Sequence, residues 1–253
     1  MGRRMQDINK YEEMQAIILA AGMGTRLKHL TRDVPKPMVS INGKPMISYI
    51  LETLFKIKRI QEIIIVTGFK HEVLEEYISN SFKNNIHKIR LIYNNEYQKG
   101  SIITLKKVTS FIYKRFILLN ADHIFPLKLI LKIINEVHPI VIGCDHDRKL
   151  TDDDMKVLLK DGKMINISKK LTEFNAGYIG LTVVDKELIS DYFSCADLTL
   201  QKEGDHAVVE QILLELSKMG INPRVCDLSG FGWFEIDTLE DYRIAEKGLK
   251  EWE

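Results

Sequence analysis

Residues 15–38 read QAIILAAGMGTRLKHLTRDVPKPM. The stretch opens as a continuous apolar run, breaks into glycines, and then sets one lysine between two prolines. A run with no polar face is what a central strand of a parallel sheet needs, because helices cover both of its sides. The same texture returns at 62–68 (EIIIVTG), 89–94 (IRLIYN), 115–122 (RFILLNAD) and 140–144 (IVIGC). Between these runs the apolar spacing turns helical. Residues 45–57 place Ile47, Ile50, Leu51 and Leu54 on one face, and helical spacing also fits 71–79, 101–110 and 126–136. Strands and helices in alternation predict an α/β chain with a doubly wound, mostly parallel, Rossmann-like sheet.

After Cys144 the texture changes. MKVLLKDGKMINIS, residues 155–168, holds two strand-like runs joined by Asp161-Gly162, a dipeptide that accepts the positive φ angles of a tight hairpin. A small antiparallel excursion in the second half is the expectation. Residues 176–184 read as a strand, 205–220 as a helix stopped by Gly220, 232–237 as a last strand and about 239–249 as a closing helix. With no repeat and no linker, residues 14–253 are expected to form a single domain, preceded by a flexible polar extension over residues 1–13.

Bulk properties narrow the function. A chain of 253 residues with 45% hydrophobic side chains can bury a large core without staples. Its formal charge of +1 arises from acids and bases spread evenly, which argues against nucleic acid as a partner. Cys144, Cys195 and Cys226 are far apart and match no metal-ligand spacing, so buried free thiols in a reducing compartment are expected. No apolar run approaches the roughly 20 residues that span a bilayer, and the first residues are too polar for a signal segment. A cytoplasmic protein without direct membrane insertion follows as the expectation.

The glycines after the first strand sit where a backbone must turn sharply and approach a ligand, leaving N–H groups free for phosphate oxygens. A P-loop would need GxxxxGK and a following Ser or Thr, which is absent; a dinucleotide fingerprint would need a third glycine where Leu27 stands. What remains is Gly22-x-Gly24-Thr25-Arg26, followed by Pro35-Lys36-Pro37. Arg26 offers a planar fork of donors suited to a polyphosphate. Lys36 offers a compact charge on a backbone that its prolines restrain.

Asp122 and Asp237 each end a strand-like run. Either alone also reads as a helix cap. If the last strand lies beside Asp122, the two carboxylates would repel, and a divalent cation such as Mg2+ between them resolves the conflict. Glu235 and Asp241 are lower-ranked ligands. His123 reads as a supporting neighbour, and His206 and the acidic run 152–154 as surface.

AIILAAGMGTRL, VPKPM and NGKPMISYIL, in that order over about fifty residues, resemble the amino-terminal signature of the nucleotidyltransferases that activate sugar phosphates and related phosphates with a nucleoside triphosphate. The resemblance implies the nucleotide-diphospho-sugar transferase type of fold. It gives nucleotide-binding roles to Ala20, Ala21, Gly22, Gly24, Thr25 and Arg26, catalytic roles to Lys36 and Arg26, and Mg2+ to Asp122 and Asp237. NEYQKGSIITL, residues 95–105, is similar to a segment beside the pyrimidine in cytidylyltransferases, which points to Gly100 and Ser101; a plain helix cap at Ser101 stays open. Residues 164–185 resemble inositol-1-phosphate cytidylyltransferases, where the matching Lys169 and Glu173 face the acceptor. The implied reaction moves CMP from CTP to inositol 1-phosphate, giving CDP-inositol and pyrophosphate.

Two small molecules, CTP and a phosphorylated alcohol, are the implied partners. A downstream membrane phosphotransferase on a separate polypeptide and a second copy of the chain are the further ones that the resemblance admits. Three alternatives stay open. Phosphocholine would want an aromatic cage, for which Tyr178, Phe174 and Trp233 are available; a sugar 1-phosphate is the second; a non-catalytic nucleotide-sensing subunit is the third.

Overall fold

A computed structural model describes residues 12–252. In chain order its strands are β1 (Met14–Ala20), β2 (Ser40–Ile41), β3 (Lys44–Pro45), β4 (Ile60–Thr67), β5 (Ile89–Tyr93), β6 (Arg115–Asn120) and β7 (His123–Ile124). The second half adds β8 (Ile140–Asp145), β9 (Lys156–Lys160), β10 (Lys163–Ser168), β11 (Ala176–Val184), β12 (Arg224–Asp227) and β13 (Phe234–Glu235). The helices are α1 (Met46–Phe55), α2 (His71–Ser81), α3 (Ser101–Lys106), α4 (Leu127–Ile134), α5 (Ile189–Glu203), α6 (Ile212–Lys218) and α7 (Leu239–Gly248).

β1 is buried along its whole length and pairs in parallel with β4 and β6. Its alternate residues serve two cores. Ile17 and Leu19 pack with residues of α3, α5 and α6, whereas Ala16, Ile18 and Ala20 pack with residues of α1, α2 and α4. Helices therefore cover both faces, as in a doubly wound sheet. Each large aliphatic side chain buried this way stabilises by about 1.5–3 kcal/mol. The order of the main sheet is β5-β4-β1-β6-β11-β8-β12-β10-β9.

The parallel run covers β5, β4, β1 and β6. β11 then enters antiparallel between β6 and β8, so the antiparallel part is larger than one hairpin. The expected hairpin is present: β9 and β10 pair antiparallel, with φ of 52° at Asp161 and 71° at Gly162.

Four segments differ from the sequence reading, the first being β12, a strand where none is expected, paired in parallel with β8. α5 arises where no element is expected, burying Tyr192, Phe193, Cys195, Ala196 and Thr199. Residues 205–220 are broken into the 3-10 turns Gly204–His206 and Val209–Gln211 before α6 begins. The expected last strand shrinks to β13, which leaves the main sheet and pairs with β7.

The three cysteines are free and buried, as expected. Most of the expected extension, residues 1–11, lies outside the described residues. Among the described residues no helix is long and apolar enough to cross a membrane.

Candidate active site

The carboxyl ends of β1 and β6 open into a cleft of about 460 Å³, the position where open α/β sheets place ligands. Ala20, Ala21, Gly22, Gly24, Thr25 and Arg26 all line it, and so does Lys36. Gly24 has φ of 64°, and a Cβ there would stand 2.8 Å from the Cβ of Lys36. Only glycine lets the loop pass so close to the lysine. At Gly22 an added Cβ would meet nothing within 4 Å, so its backbone faces open space. Lys36 starts a one-turn 3-10 segment, Lys36–Met38, entered from Pro35 and closed by the Met38 N–H donating to the Pro35 carbonyl at 2.8 Å.

The ribbon of β7 and β13 brings the two aspartates together. Glu235 pairs with His123 across it, and the Ile236 N–H donates to the Asp122 carbonyl at 3.0 Å. Thr238, not Asp237, caps α7: its Oγ1 accepts from the Asp241 N–H at 3.2 Å, while Asp241 Oδ2 accepts from the Thr238 N–H at 2.7 Å. Asp241 is thereby occupied as a cap. The Asp237 carboxylate is left for the cleft.

Lys36 Nζ donates to Asp122 Oδ2 at 2.6 Å and also to Asp237 Oδ1. Arg26 Nη2 donates to Asp237 Oδ2 at 2.7 Å, and its Nη1 to Asp153 Oδ2 at 3.3 Å. Burial opposes the charge on Lys36, but the two aspartates outweigh it and hold its pKa above the ordinary lysine value. Burial likewise works to raise Asp122, yet Lys36 and His123 hold it far below the usual carboxylate range. Both carboxylates reach one nitrogen, so one small cation lies within reach of both. Among the described residues no group of three or more His, Cys, Asp or Glu is arranged to hold a metal. A pair of carboxylates fits Mg2+, which takes few protein oxygens and completes its shell with phosphates and water.

His123 supports this pair. Its Nδ1 lies 2.5 Å from Asp122 Oδ1, its Nε2 lies 3.8 Å from Glu235 Oε1, and its ring stacks on Trp233 with centroids 5.5 Å apart. Gly180 makes the space: with φ of 75°, it sits where a Cβ would be 2.8 Å from His123 Nε2. Burial acts to lower the His123 pKa, but Asp122 and Glu235 raise it overall.

The remaining sequence candidates divide. Lys169 and Ser101 line the cleft; Gly100 and Glu173 do not. Gly100 instead permits a close approach, because a Cβ there would lie 2.1 Å from the Ala207 carbonyl oxygen. Ser101 does not cap its own helix, since its Oγ accepts from the Val209 N–H at 3.0 Å. Glu173 is exposed, in the turn between β10 and β11.

The aromatic cage is not assembled. Tyr178 lines the cleft with its hydroxyl 2.9 Å from Thr182 Oγ1. Trp233 has His123 stacked on it and the Arg148 guanidinium 4.1 Å from its ring centroid, and Phe174 is exposed beneath Lys156. Sequence reasoning missed Glu210, Asp153 and Tyr97, which also line the cleft. For Glu210 a signal existed, an acid beside the apolar stripe of residues 205–220.

Residues 15–137 match the family model described as nucleotidyl transferase. D-glycero-alpha-D-manno-heptose 1-phosphate guanylyltransferase of Campylobacter jejuni is 39% identical over 124 residues, covering 49% of this chain and 54% of the relative. The bifunctional IPC transferase and DIPP synthase of Archaeoglobus fulgidus is 28% identical over 93% of this chain and 44% of its own length. The chain thus spans about half the length of these two curated relatives. Among solved structures, the inositol-1-phosphate CTP transferase from T. maritima superposes with a TM-score of 0.78 at 22% identity, covering 94% of this chain and 97% of that one, a likeness of fold. A glycine loop, a lysine and two aspartates gathered at the head of a doubly wound sheet agree with the likeness of residues 15–137 to nucleotidyl transferases.

Proposed function

We propose that the protein is a Mg2+-dependent cytidylyltransferase that moves CMP from CTP to inositol 1-phosphate, releasing pyrophosphate. The observation that carries the transfer chemistry is Lys36 hydrogen-bonded to both Asp122 and Asp237 beneath the glycine loop. The acceptor reading is supported by Lys169 in the same cleft and by the likeness to the Archaeoglobus fulgidus IPC transferase, one of several relatives matched over nearly the whole chain.

Backbone N–H groups of Gly22 and Gly24 cradle the triphosphate. Arg26 exchanges Asp237 and Asp153 for the outer phosphates, a trade that keeps each of its donors paired. Lys169 takes the dianionic phosphate of the acceptor. One of that phosphate's oxygens attacks the α-phosphorus in line: a new P–O bond forms, the bond to the bridging oxygen breaks, and pyrophosphate leaves with the electron pair. Lys36 offsets the negative charge that gathers at the α-phosphate. A unit charge 4 Å away at an effective dielectric of 20 contributes about 4 kcal/mol before desolvation. Mg2+, held by Asp122 and Asp237, would supply further neutralisation of the phosphates. Positioning and electrostatics suffice for such transfers, and no covalent intermediate on the protein is needed.

A second reading, a sugar 1-phosphate with a purine nucleotide, is favoured by the 39% identity of the amino-terminal half to a guanylyltransferase. One assay separates the two. Pyrophosphate release is measured with Mg2+, crossing CTP, UTP, ATP, GTP and dTTP against inositol 1-phosphate, phosphocholine and hexose or heptose 1-phosphates. The highest rate is expected with CTP and inositol 1-phosphate. Turnover confined to a sugar 1-phosphate with another nucleotide replaces the substrate assignment, and nucleotide binding without turnover of any pair returns the sensing subunit.

A further inference from the structure

Glu210 lines the cleft together with Lys169 and has no part in the chemistry above. It sits on the 3-10 turn Val209–Gln211, which is held on both sides. The Val208 N–H donates to Gln211 Oε1 at 2.8 Å, and the Val209 N–H donates to Ser101 Oγ at 3.0 Å. Gly100 admits this contact by letting α3 lie against residues 205–207. The wall that carries Ser101 and the turn that carries Glu210 are thus one rigid unit.

The Glu210 carboxylate forms no ion pair with another residue among the described residues. Burial raises its pKa, against the opposing pull of a hydrogen bond from its own backbone and of the charge on Lys169. The other cleft glutamate is differently placed. Glu235 faces the Arg148 guanidinium, with Nη1 at 3.7 Å, and the His123 ring, with Nε2 at 3.8 Å.

A phosphorylated polyol needs two things from its site. Its phosphate needs a cation, which Lys169 offers, and its hydroxyls need an acceptor-only group able to take two O–H bonds at once. Glu173, expected to supply that group, stands exposed outside the cleft. We propose that Glu210 is the specificity-determining residue for the acceptor, accepting hydrogen bonds from neighbouring hydroxyls of a cyclic polyol or sugar phosphate whose phosphate rests on Lys169. This rests on the transferase reading and narrows its acceptor to a hydroxyl-bearing ring, whether inositol or sugar.

The test compares the native chain with Glu210→Gln, Glu210→Asp and, as a control outside the cleft, Glu173→Gln. Calorimetry measures binding of inositol 1-phosphate, glucose 1-phosphate and phosphocholine in the presence of CTP, and steady-state assays measure KM for each substrate. The expected result is a loss of polyol-phosphate affinity of about 10- to 100-fold in Glu210→Gln, the range for a hydrogen bond to a charged group. Glu210→Asp recovers part of that affinity, CTP affinity and Tm stay native-like, and Glu173→Gln binds normally. Equal polyol binding in Glu210→Gln, or a native preference for phosphocholine, overturns the proposal. If polyol binding depends on Glu210 but no pyrophosphate is released, the acceptor site stands and the transferase reading fails.

Discussion

Lys36 and Asp237 stand 201 residues apart in the chain and form one ion pair in the cleft. The pairing depends on the small ribbon of β7 and β13, which ties the end of the chain to the strand end that bears Asp122. Without that ribbon the two aspartates would have no reason to meet. The site is therefore assembled by topology, and each of its parts can be removed separately.

Lys36→Ala takes away the charge assigned to the α-phosphate. A fall in kcat of about 10²-fold or more is expected, by analogy with losing one oxyanion donor. The fall should appear in kcat more than in the KM for nucleotide. Turnover within a few-fold of native removes Lys36 from the mechanism.

The same substitution changes the response to metal. In the native chain an added cation competes with the Lys36 ammonium for both aspartates. In Lys36→Ala the one cation that bridges both aspartates is gone, leaving only Arg26 on Asp237 and His123 on Asp122, and the two like charges gain from neutralisation. Thermal melts should show a larger rise in Tm with Mg2+ for Lys36→Ala than for the native chain. Equal shifts contradict a shared site.

Acid should weaken the fold through Asp122. Against the pull of burial, Lys36 and His123 hold its folded pKa far below its unfolded value of about 4. Its contribution is therefore present above about pH 4 and lost as the pH falls toward the folded pKa. Melts between about pH 7 and pH 3 should show a steep acid limb that Asp122→Asn flattens. The raised pKa of Lys36 acts at the other end, where stability is lost as the pH climbs through that raised value.

Gly180→Ala tests the support beneath Asp122. At φ of 75° a side chain is strained, and the new Cβ would press on His123 Nε2 from 2.8 Å. A loss of about 1–3 kcal/mol is expected, read as a Tm lower by several degrees. Activity should fall further than stability explains, because His123 is displaced from Asp122. A variant with native Tm and rate would show that the ring has room to move.

Much of the first half was legible because its strands are apolar on both faces and its glycine loop and proline-flanked lysine are distinctive in sequence. Gly24 and Lys36 could be named as parts of one site, but not that the glycine is required by the lysine's own Cβ. The later half was harder to read for physical reasons. α5 buries Cys195, Ala196 and Thr199 beside its two aromatics, so its apolar stripe has little contrast. β12 is only four residues long, with charged ends, and is defined by its pairing with β8. Glu210 was hidden because residues 205–220 look like one amphipathic helix, whereas the 3-10 turn at 209–211 breaks that helix and presents the acid to the cleft. Glu173 stands exposed outside the cleft, because a matching position in a turn says nothing about which way the turn faces.

The most direct measurement is a crystal structure of the native chain with CTP and Mn2+, in which the anomalous signal of the metal marks its position. One strong peak touching both Asp122 and Asp237 is predicted, with the Lys36 ammonium moved from that pair to the α-phosphate. A metal bound elsewhere, or Lys36 still donating to both aspartates with nucleotide in the cleft, would contradict the account.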